Sequence, residues 1–559
     1  MTSSTAPAHA GHPPSAPSSP ALEEGQLTHK EILVVFIGLA AGMLLAALNA
    51  TLVATALPTI VTDLGGGDQI SWVITAYLLT STSTTPLYGK ISDLYGRKAV
   101  YQTAIVIFII GSLACGFAQE TWQLIAARAV AGAGAGGLMS LSMAIIGDII
   151  PPRERGRYQG YLGGVFAFAS VIGPLLGGFF VDELSWRWVF WVNIPVGIAA
   201  LFITGKTLNL TFKRVQSKVD YTGAALLIGA VVTLLLVTTW GGKTYDWTSP
   251  IIISYTLGAI AFLVLFLYHE KAVEEPILPL PLFRNRIFTV CSIASFISGV
   301  AMFAAMIYLP LFLQVAHGAS PTSSGLQMLP LMAGLTSTSV LSGRIITKTG
   351  KYKIWPIFGT VITTVGLLLL SILESDTPTA VMSLYMFVLG IGIGSYMQVL
   401  VLASQNAVTM RDLGVATSTI TFFRMMGGSI GVAVMGSLFN NRLENYLVNR
   451  LPEDAIAGGW VDRIVKSPRN IAALDGPISQ IAVDSYTDAM TLAFLILVPI
   501  SLLGLLVVSF LDQVPLRQTM GPPAKPPQGS PSPAPSQEVV RIPPSPPESP
   551  QRVPAIAET

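Results

Sequence analysis

The feature that most constrains the fold of this chain is its series of long apolar runs. Within 559 residues, about fourteen stretches approach the roughly 20 apolar residues that a helix needs to cross a bilayer. Only 11% of the residues are charged, whereas ordinary soluble domains have about 25%. Because backbone polar groups must be satisfied internally in lipid, the sequence predicts an all-α polytopic membrane protein. The predicted spans are 33–57, 70–88, 99–118, 122–147, 158–181, 188–207, 221–240, 250–268, 288–314, 322–342, 354–373, 379–403, 413–438 and 489–511.

The distribution of cations predicts the orientation of the chain. An even number of spans places both termini on one side, and Lys and Arg concentrate in the loops of that same side. Cytoplasmic loops carry an excess of these residues, so both termini are predicted to be cytoplasmic, in a multi-pass protein of the plasma (inner) membrane. The amino terminus has no signal-peptide pattern, so the first span is predicted to be retained.

The chain contains an internal repeat. Residues 89–98 and 343–352 both read Gly-x3-polar-x2-Gly-cation and are 254 residues apart. Arg153-Glu154-Arg155-Gly156 corresponds to 411–414, and Ile172-Gly173 corresponds to 430–431, both at a spacing of 258 residues. Similar offsets at three places predict two six-helix bundles related by parallel pseudo-symmetry, with two extra helices between them.

Composition and repeat together predict five parts of the chain. Both ends are rich in Pro and Ser and too poor in apolar residues to fold alone. The predicted parts are a disordered cytoplasmic segment at 1–29, a six-helix bundle at 30–208, two inserted helices with linkers at 209–287, a second six-helix bundle at 288–511 and a disordered cytoplasmic tail at 512–559. The second bundle is predicted to carry a long outer loop at 440–487, whose five cations depart from the charge bias, which long loops follow only weakly.

The turn between the second and third predicted spans holds a concentrated polar motif. Its notable residues are Gly89, Asp93, Gly96, Arg97 and Lys98. A carboxylate and a guanidinium at a helix end can form charge-assisted bonds that hold two bundles closed, so the motif is predicted to be a conformational latch. The alternative is that its charges only set the orientation. In the second copy Thr347 replaces the aspartate, and a weaker latch is expected there.

Ionisable groups inside spans are costly and usually functional. Two lie deep, Arg128 and Arg424, and no Asp, Glu or His does. Arginine does not release its proton, so the arginines are expected to contact substrate or tune a nearby acid, unless each only locks its own bundle. Asp148, at the end of the helix that bears Arg128, is the preferred candidate for proton binding. Gln398 is a candidate for hydrogen bonding to substrate.

Other classes of function find no support in the sequence. The two cysteines, Cys115 and Cys291, have no metal-ligand spacing, and there is no phosphate-binding loop or catalytic constellation. The sequence therefore predicts no metal, no cofactor, no nucleic-acid partner and no enzymatic activity. A monomer in the lipid bilayer is expected.

Residues 33–511 resemble the major facilitator superfamily, and specifically its fourteen-helix drug:proton antiporters. Three motifs carry the resemblance. The first is the turn G-x3-D-x2-G-R-K, which is intact. The second is the fourth-helix pattern, present as Leu124, Arg128, Gly132 and Gly134, with Ala131 where the family often has Gln. The third is the antiporter motif of the fifth helix, present as Gly173, Pro174, Gly177 and Gly178, with Ala169 in place of its first glycine.

The resemblance implies a secondary exporter of amphipathic organic compounds that works by alternating access, with protons as the exchanged ion. The antiporter motif is implied to shape the interface that favours export, although plain close packing is the alternative. One departure concerns Asn49, which stands where the family has a carboxylate in its first helix and puts proton coupling in question. The alternative function is an uncoupled facilitator or importer of small organic solutes.

Overall fold

The computed structural model describes residues 29–64, 70–208, 220–242, 244–466, 471, 474 and 476–516. The predicted terminal segments 1–29 and 512–559 lie almost wholly outside these residues. In the described part, fourteen long helices follow the predicted spans. They are α1 (His29–Leu64), α2 (Ile70–Tyr95), α3 (Arg97–Phe117), α4 (Thr121–Ile149), α5 (Pro152–Phe179), α6 (Trp188–Thr207), α7 (Tyr221–Trp240), α8 (Pro250–Ala272), α9 (Arg286–Ala316), α10 (Leu329–Thr349), α11 (Ile354–Leu370), α12 (Thr379–Ala407), α13 (Leu413–Arg450) and α14 (Pro477–Ser509).

Eleven of these helices are long and apolar enough to cross a membrane by themselves. The other three are α2, α10 and α11. Helix α11 has only 17 residues, and α2 carries a run of Ser and Thr from Thr80 to Thr85. Within that run, Thr80 and Thr84 donate to carbonyls one turn earlier, at 2.9 and 2.7 Å, which satisfies these hydroxyls inside the helix. Helices α2 and α10 occupy equivalent places, because each is the second helix of its predicted six-helix bundle.

Helix packing repeats between the two halves. In the first half α1 packs along α5, whereas α2 and α3 pack along α4. In the second half α9 packs along α13, whereas α10 and α11 pack along α12. Counting α9 as the counterpart of α1 makes the two sets of partners identical. Helices α7 and α8 pack on each other, and α7 also contacts α2 and α13.

The two halves meet most extensively along two pairs of helices, α5 with α10 and α2 with α13. Small residues bring the backbones together on the first seam. A side chain added at Gly160 would lie 2.7 Å from the carbonyl oxygen of Ser339, and one at Gly156 would lie 3.3 Å from the Cα of Gly343. A larger residue at Gly160 would therefore force the two helices apart, and one at Gly156 would be tightly packed.

The predicted outer loop at 440–487 is largely helical in the structure. Helix α13 continues to Arg450, two short helices follow at Glu453–Ala457 and Trp460–Lys466, and α14 begins at Pro477. Leucines one turn apart, Leu443 and Leu447, are fully buried in this extension and belong to the core of the second half. Apolar residues one turn apart give this segment a helical face that packs on the core, so α13 extends beyond the predicted span 413–438. The prediction of a loop considered only the charges of this segment.

Candidate functional site

Arg97 is the centre of a buried ionic cluster at the end of the protein where the turn at 89–98 lies. We call this end the inner side, following the charge bias. The Arg97 guanidinium pairs with Asp93 at 2.6 Å and with Asp148 at 2.5 Å, and it also donates to the Ser92 hydroxyl. One guanidinium thus serves two carboxylates from α2 and α4. The structure brings the predicted residues Asp93, Arg97 and Asp148 together.

This cluster reaches across to the second half. Asp93 accepts a hydrogen bond of 3.1 Å from the backbone N–H of Val415, in the first turn of α13. Gly89, one turn before Asp93, faces the same turn, and a side chain there would lie 2.8 Å from the carbonyl oxygen of Gly414. The glycine therefore lets α2 approach α13 closely enough for Asp93 to bind its backbone.

The second glycine of each repeat copy lies at a helix end and has a positive φ. Gly96 has a φ of 94° between α2 and α3, and Gly350 has a φ of 72° at the end of α10. Both values favour glycine. Lys98, in the first turn of α3, is half-buried. In the second copy, Arg153 of α5 donates to the carbonyls of Thr347 and Lys348, at 3.1 and 3.2 Å.

A second ionic bridge on the inner side was not anticipated from the sequence. Glu275, in the linker between α8 and α9, pairs with Lys90 of α2 at 2.5 Å and with Arg411, just before α13, at 2.6 Å. Hydrogen bonding from Lys90 lowers the pKa of Glu275. The linker is anchored by Glu270, which accepts from the backbone N–H groups of Ile277 and Leu278. We call the Lys90–Glu275–Arg411 arrangement the linker bridge.

Further into the membrane, the halves share a network of neutral polar side chains. The Gln159 amide of α5 donates to Gln405 of α12 at 3.0 Å. Gln405 in turn donates to the Met143 carbonyl of α4 at 3.1 Å and to the Thr417 hydroxyl of α13 at 3.0 Å. Four helices from both halves are therefore joined at one glutamine, and all four groups are buried.

Arg128 occupies a complete site inside the first half. It donates to the Val73 carbonyl at 3.0 Å and to the Asn49 side-chain oxygen, and its guanidinium lies 4.1 Å from the centre of the Tyr77 ring. Tyr77 in turn donates to the Ala46 carbonyl at 3.1 Å. Asn49 thus stands directly beside the buried cation, as a neutral partner with no proton to exchange.

Gln398 and Arg424 are in a different situation. Both side chains are buried, with exposed fractions of 3% and 5%. Among the described residues, neither amide atom of Gln398 has a hydrogen-bond partner, and neither has the Nη1 atom of Arg424. Within that same part of the chain, no carboxylate pairs with Arg424. The structure therefore separates the two deep arginines, because Arg128 is satisfied and Arg424 is not.

A comparison with known families fits this architecture. The family model described as Major Facilitator Superfamily matches residues 39–217 and 221–432. The chain belongs to the major facilitator superfamily. It is accordingly a multi-pass secondary transporter of small molecules and not an enzyme.

Individual proteins of this superfamily resemble the chain over most of its length. An uncharacterized MFS-type transporter of Mycobacterium tuberculosis is 40% identical over 483 residues, which cover 86% of this chain and 70% of that protein. Multidrug resistance protein 3 of Bacillus subtilis is 34% identical over 494 residues, which cover 87% of this chain and 96% of that protein. The structure of the proton:xylose symporter XylE matches with a TM-score of 0.58 at 13% identity, over 88% of this chain and 98% of that one, and so supports the fold.

In this major facilitator protein, the four residues of the fifth-helix motif point to two different neighbours. Gly173 and Gly177 face α1, where side chains added to them would lie 2.6 Å from the Thr51 Cβ and 3.1 Å from the Thr55 Cβ. Pro174 and Gly178 face the second half, at the short helix Pro321–Gln327. The motif therefore lies where α5 passes between its own bundle and the other.

Over the residues that the structure describes, no group of three or more His, Cys, Asp or Glu side chains could hold a metal ion. Cys115 and Cys291 are both buried as free thiols.

Proposed function

We propose that this protein exports amphipathic organic compounds, such as drugs or antibiotics, across the plasma membrane in exchange for protons, as the fourteen-helix drug:proton antiporters do. Its relatives support the drug class, because the similar Bacillus subtilis protein is named a multidrug resistance protein. The observation that carries the mechanism is the bond from the Val415 N–H to Asp93, which ties the two halves together on the inner side. Both termini are proposed to be cytoplasmic, so this side faces the cytoplasm.

The inner contacts act as a latch in this proposal. Asp93 binds α13 while Arg97 holds Asp93 in position and is itself held by Asp148. Breaking these bonds frees α2 from α13 and allows the inner side to open. Alternating access then follows from remaking and breaking the same bonds, because each state is favoured by its own contacts.

Proton exchange is proposed to act through Asp148. Arg97 is shared by two carboxylates, so adding a proton to Asp148 removes one of the charges that hold the guanidinium in place. This weakens the support of Asp93 and favours opening. Asn49 takes no part as a proton carrier, since its amide does not titrate.

The neutral Asn49 favours a second candidate function, an uncoupled facilitator or importer of small organic solutes. The buried Arg128 donates to a carbonyl and an amide oxygen, neither of which changes charge, so the hydrogen bonds that the structure describes for this cation include no proton-binding group. In this case the halves rock without any exchange of protons.

The experiment that separates the two functions uses purified protein in liposomes, with an imposed pH gradient and a labelled drug on one side. An exporter that exchanges protons accumulates the drug beyond equilibrium, and collapsing the gradient with an uncoupler abolishes the accumulation. A facilitator brings the drug only to equilibrium, at a rate that the uncoupler does not change. The second result would contradict the proposed coupling.

A further inference from the structure

The relative depth of Gln398 and Arg424 follows from the network at Gln405. Gln405 of α12 and Thr417 of α13 are joined by a 3.0 Å hydrogen bond. Only residues 408–412 separate these two membrane-spanning helices, so we take them to cross the membrane in opposite directions. Gln398 lies seven residues before Gln405, and Arg424 lies seven residues after Thr417. Seven residues are about two turns, or about 10.5 Å, so both side chains lie at the same depth on the faces that meet at the network. Gln398 and Arg424 therefore lie farther from the inner side than the network at Gln405.

Gln398 also faces the other half of the protein. Its Nε2 atom lies 3.6 Å from the position that a side chain at Gly163 of α5 would occupy. Gln159, one turn away on the same helix, is the residue that bonds Gln405. The amide of Gln398, which has no hydrogen-bond partner among the described residues, thus faces the other half of the protein.

The described part of the chain places no counter-charge against the cation at this depth. Burying an unpaired guanidinium is costly, and in proteins such groups are normally paired or fully hydrogen-bonded. Arg128 shows how this chain satisfies a structural arginine, with a carbonyl, an amide oxygen and an aromatic ring. Among the residues that the structure describes, Arg424 lacks a partner at Nη1, and Gln398 lacks one at both amide atoms. The arrangement supplies N–H donors and a positive charge.

We propose that Arg424 and Gln398 form a binding site for the anionic oxygen group of the substrate, so that the compounds carried include amphipathic carboxylates. This inference rests on the proposed export function and assigns it a substrate class. A carboxylate accepts two N–H donors from a guanidinium and a third from an amide. One turn outward, Gly428 of α13 packs against the ring of Phe303, which offers an apolar surface for the body of the same molecule.

The test is binding to the purified full-length protein by calorimetry at neutral pH. The probes are a series of arylacetic acids, carboxylates at neutral pH, whose aromatic group increases in size. The methyl ester and the corresponding amine of each acid are measured beside it. Wild-type protein is expected to bind at least one carboxylate more tightly than its ester and its amine. R424Q is expected to weaken carboxylate binding at least about tenfold while leaving ester binding within about twofold, because it removes a charge-assisted bond.

Three further variants sharpen the test. R424K is expected to keep part of the preference for carboxylates, because the charge remains while the planar pair of donors is lost. Q398A is expected to weaken carboxylate binding by less than R424Q does. R450Q is the matched control, because Arg450 pairs with Asp488 at the far end of α13 and its loss is expected to change nothing.

Two outcomes would overturn the inference. One is equal carboxylate affinity in wild-type protein and R424Q, and the other is a wild-type preference for amines or esters over every carboxylate in the series. Neither outcome decides the proposed function, which depends on whether a pH gradient drives any drug into liposomes. Gradient-driven transport of a cationic or neutral drug together with either outcome would leave export intact and remove only the anion site.

Discussion

Replacing Glu275 with glutamine is expected to shift the protein toward its inner-open state. The change keeps the size of the side chain but removes the charge that pairs with Lys90 and Arg411. The side chains of Lys90 and Glu275 are 11% and 23% exposed, so this pair contributes about 1 to 1.5 kcal/mol to inner closure. The Arg411 side chain is 72% exposed, and solvent screening reduces its share to about 0 to 0.5 kcal/mol.

The total of about 1.5 kcal/mol corresponds to about a tenfold change in the ratio of inner-closed to inner-open protein. The assay is electron–electron double resonance between spin labels at Tyr95 and Thr349, exposed residues at the inner ends of α2 and α10. The two native cysteines are buried and leave little background labelling. E275Q is expected to raise the population at long distances, and high salt is expected to move wild-type protein in the same direction.

Glu274 provides the matched control. It is the same residue type at the adjacent position, and its side chain is exposed. E274Q is expected to give the wild-type distance distribution. An E275Q distribution that matches those of wild type and E274Q would refute the reasoning, because it would show that the linker bridge does not favour the closed state.

Three further predictions concern the same side of the protein. The hydrogen bond from Lys90 lowers the pKa of Glu275, so the linker bridge is intact above the ordinary glutamate pKa and is lost only as the pH falls below it. The effect of E275Q on the label distances is therefore expected to be equal at about pH 8 and about pH 6. G89A is expected to open the inner side and to slow transport at least about tenfold, because the added methyl group overlaps Ser418 and Gly414. The same spin labels measure the opening, and a drug-uptake assay measures the rate of transport. D148N is expected to abolish drug-driven proton movement, measured with a pH dye inside liposomes, while leaving drug binding within about twofold. Proton movement at the wild-type rate in D148N would exclude Asp148 as the proton site.

The sequence predicted the elements of this fold well because their signals are local. Spans follow from apolar length, and the salt bridge between Asp93 and Arg97 follows from a spacing of four residues across a single turn. The repeat at 254 to 258 residues predicted equivalent halves without any knowledge of their contacts. The family resemblance added the fifth-helix motif.

The remaining features depend on how distant segments meet, and no local pattern reports this. Glu275 reaches Lys90 across 185 residues, and Gln159 reaches Gln405 across 246. The two deep arginines are alike in sequence, because each is the single cation of its predicted span, 122–147 or 413–438. Only their neighbours distinguish them, since Arg128 donates to Asn49 and Val73, whereas Nη1 of Arg424 has no partner within the described ranges.

The most direct test of the central claim, that transport requires the two halves to separate along the seam between α5 and α10, is a reversible cross-link. Gly163 of α5 and Ser339 of α10 suit it, because a side chain at Gly163 would place its Cβ 3.4 Å from the Ser339 Cβ, close to the separation in disulfides. In liposomes, G163C/S339C is expected to lose drug transport on oxidation and to regain it on reduction, whereas each single variant transports under both conditions. Undiminished transport by fully cross-linked protein would contradict the account.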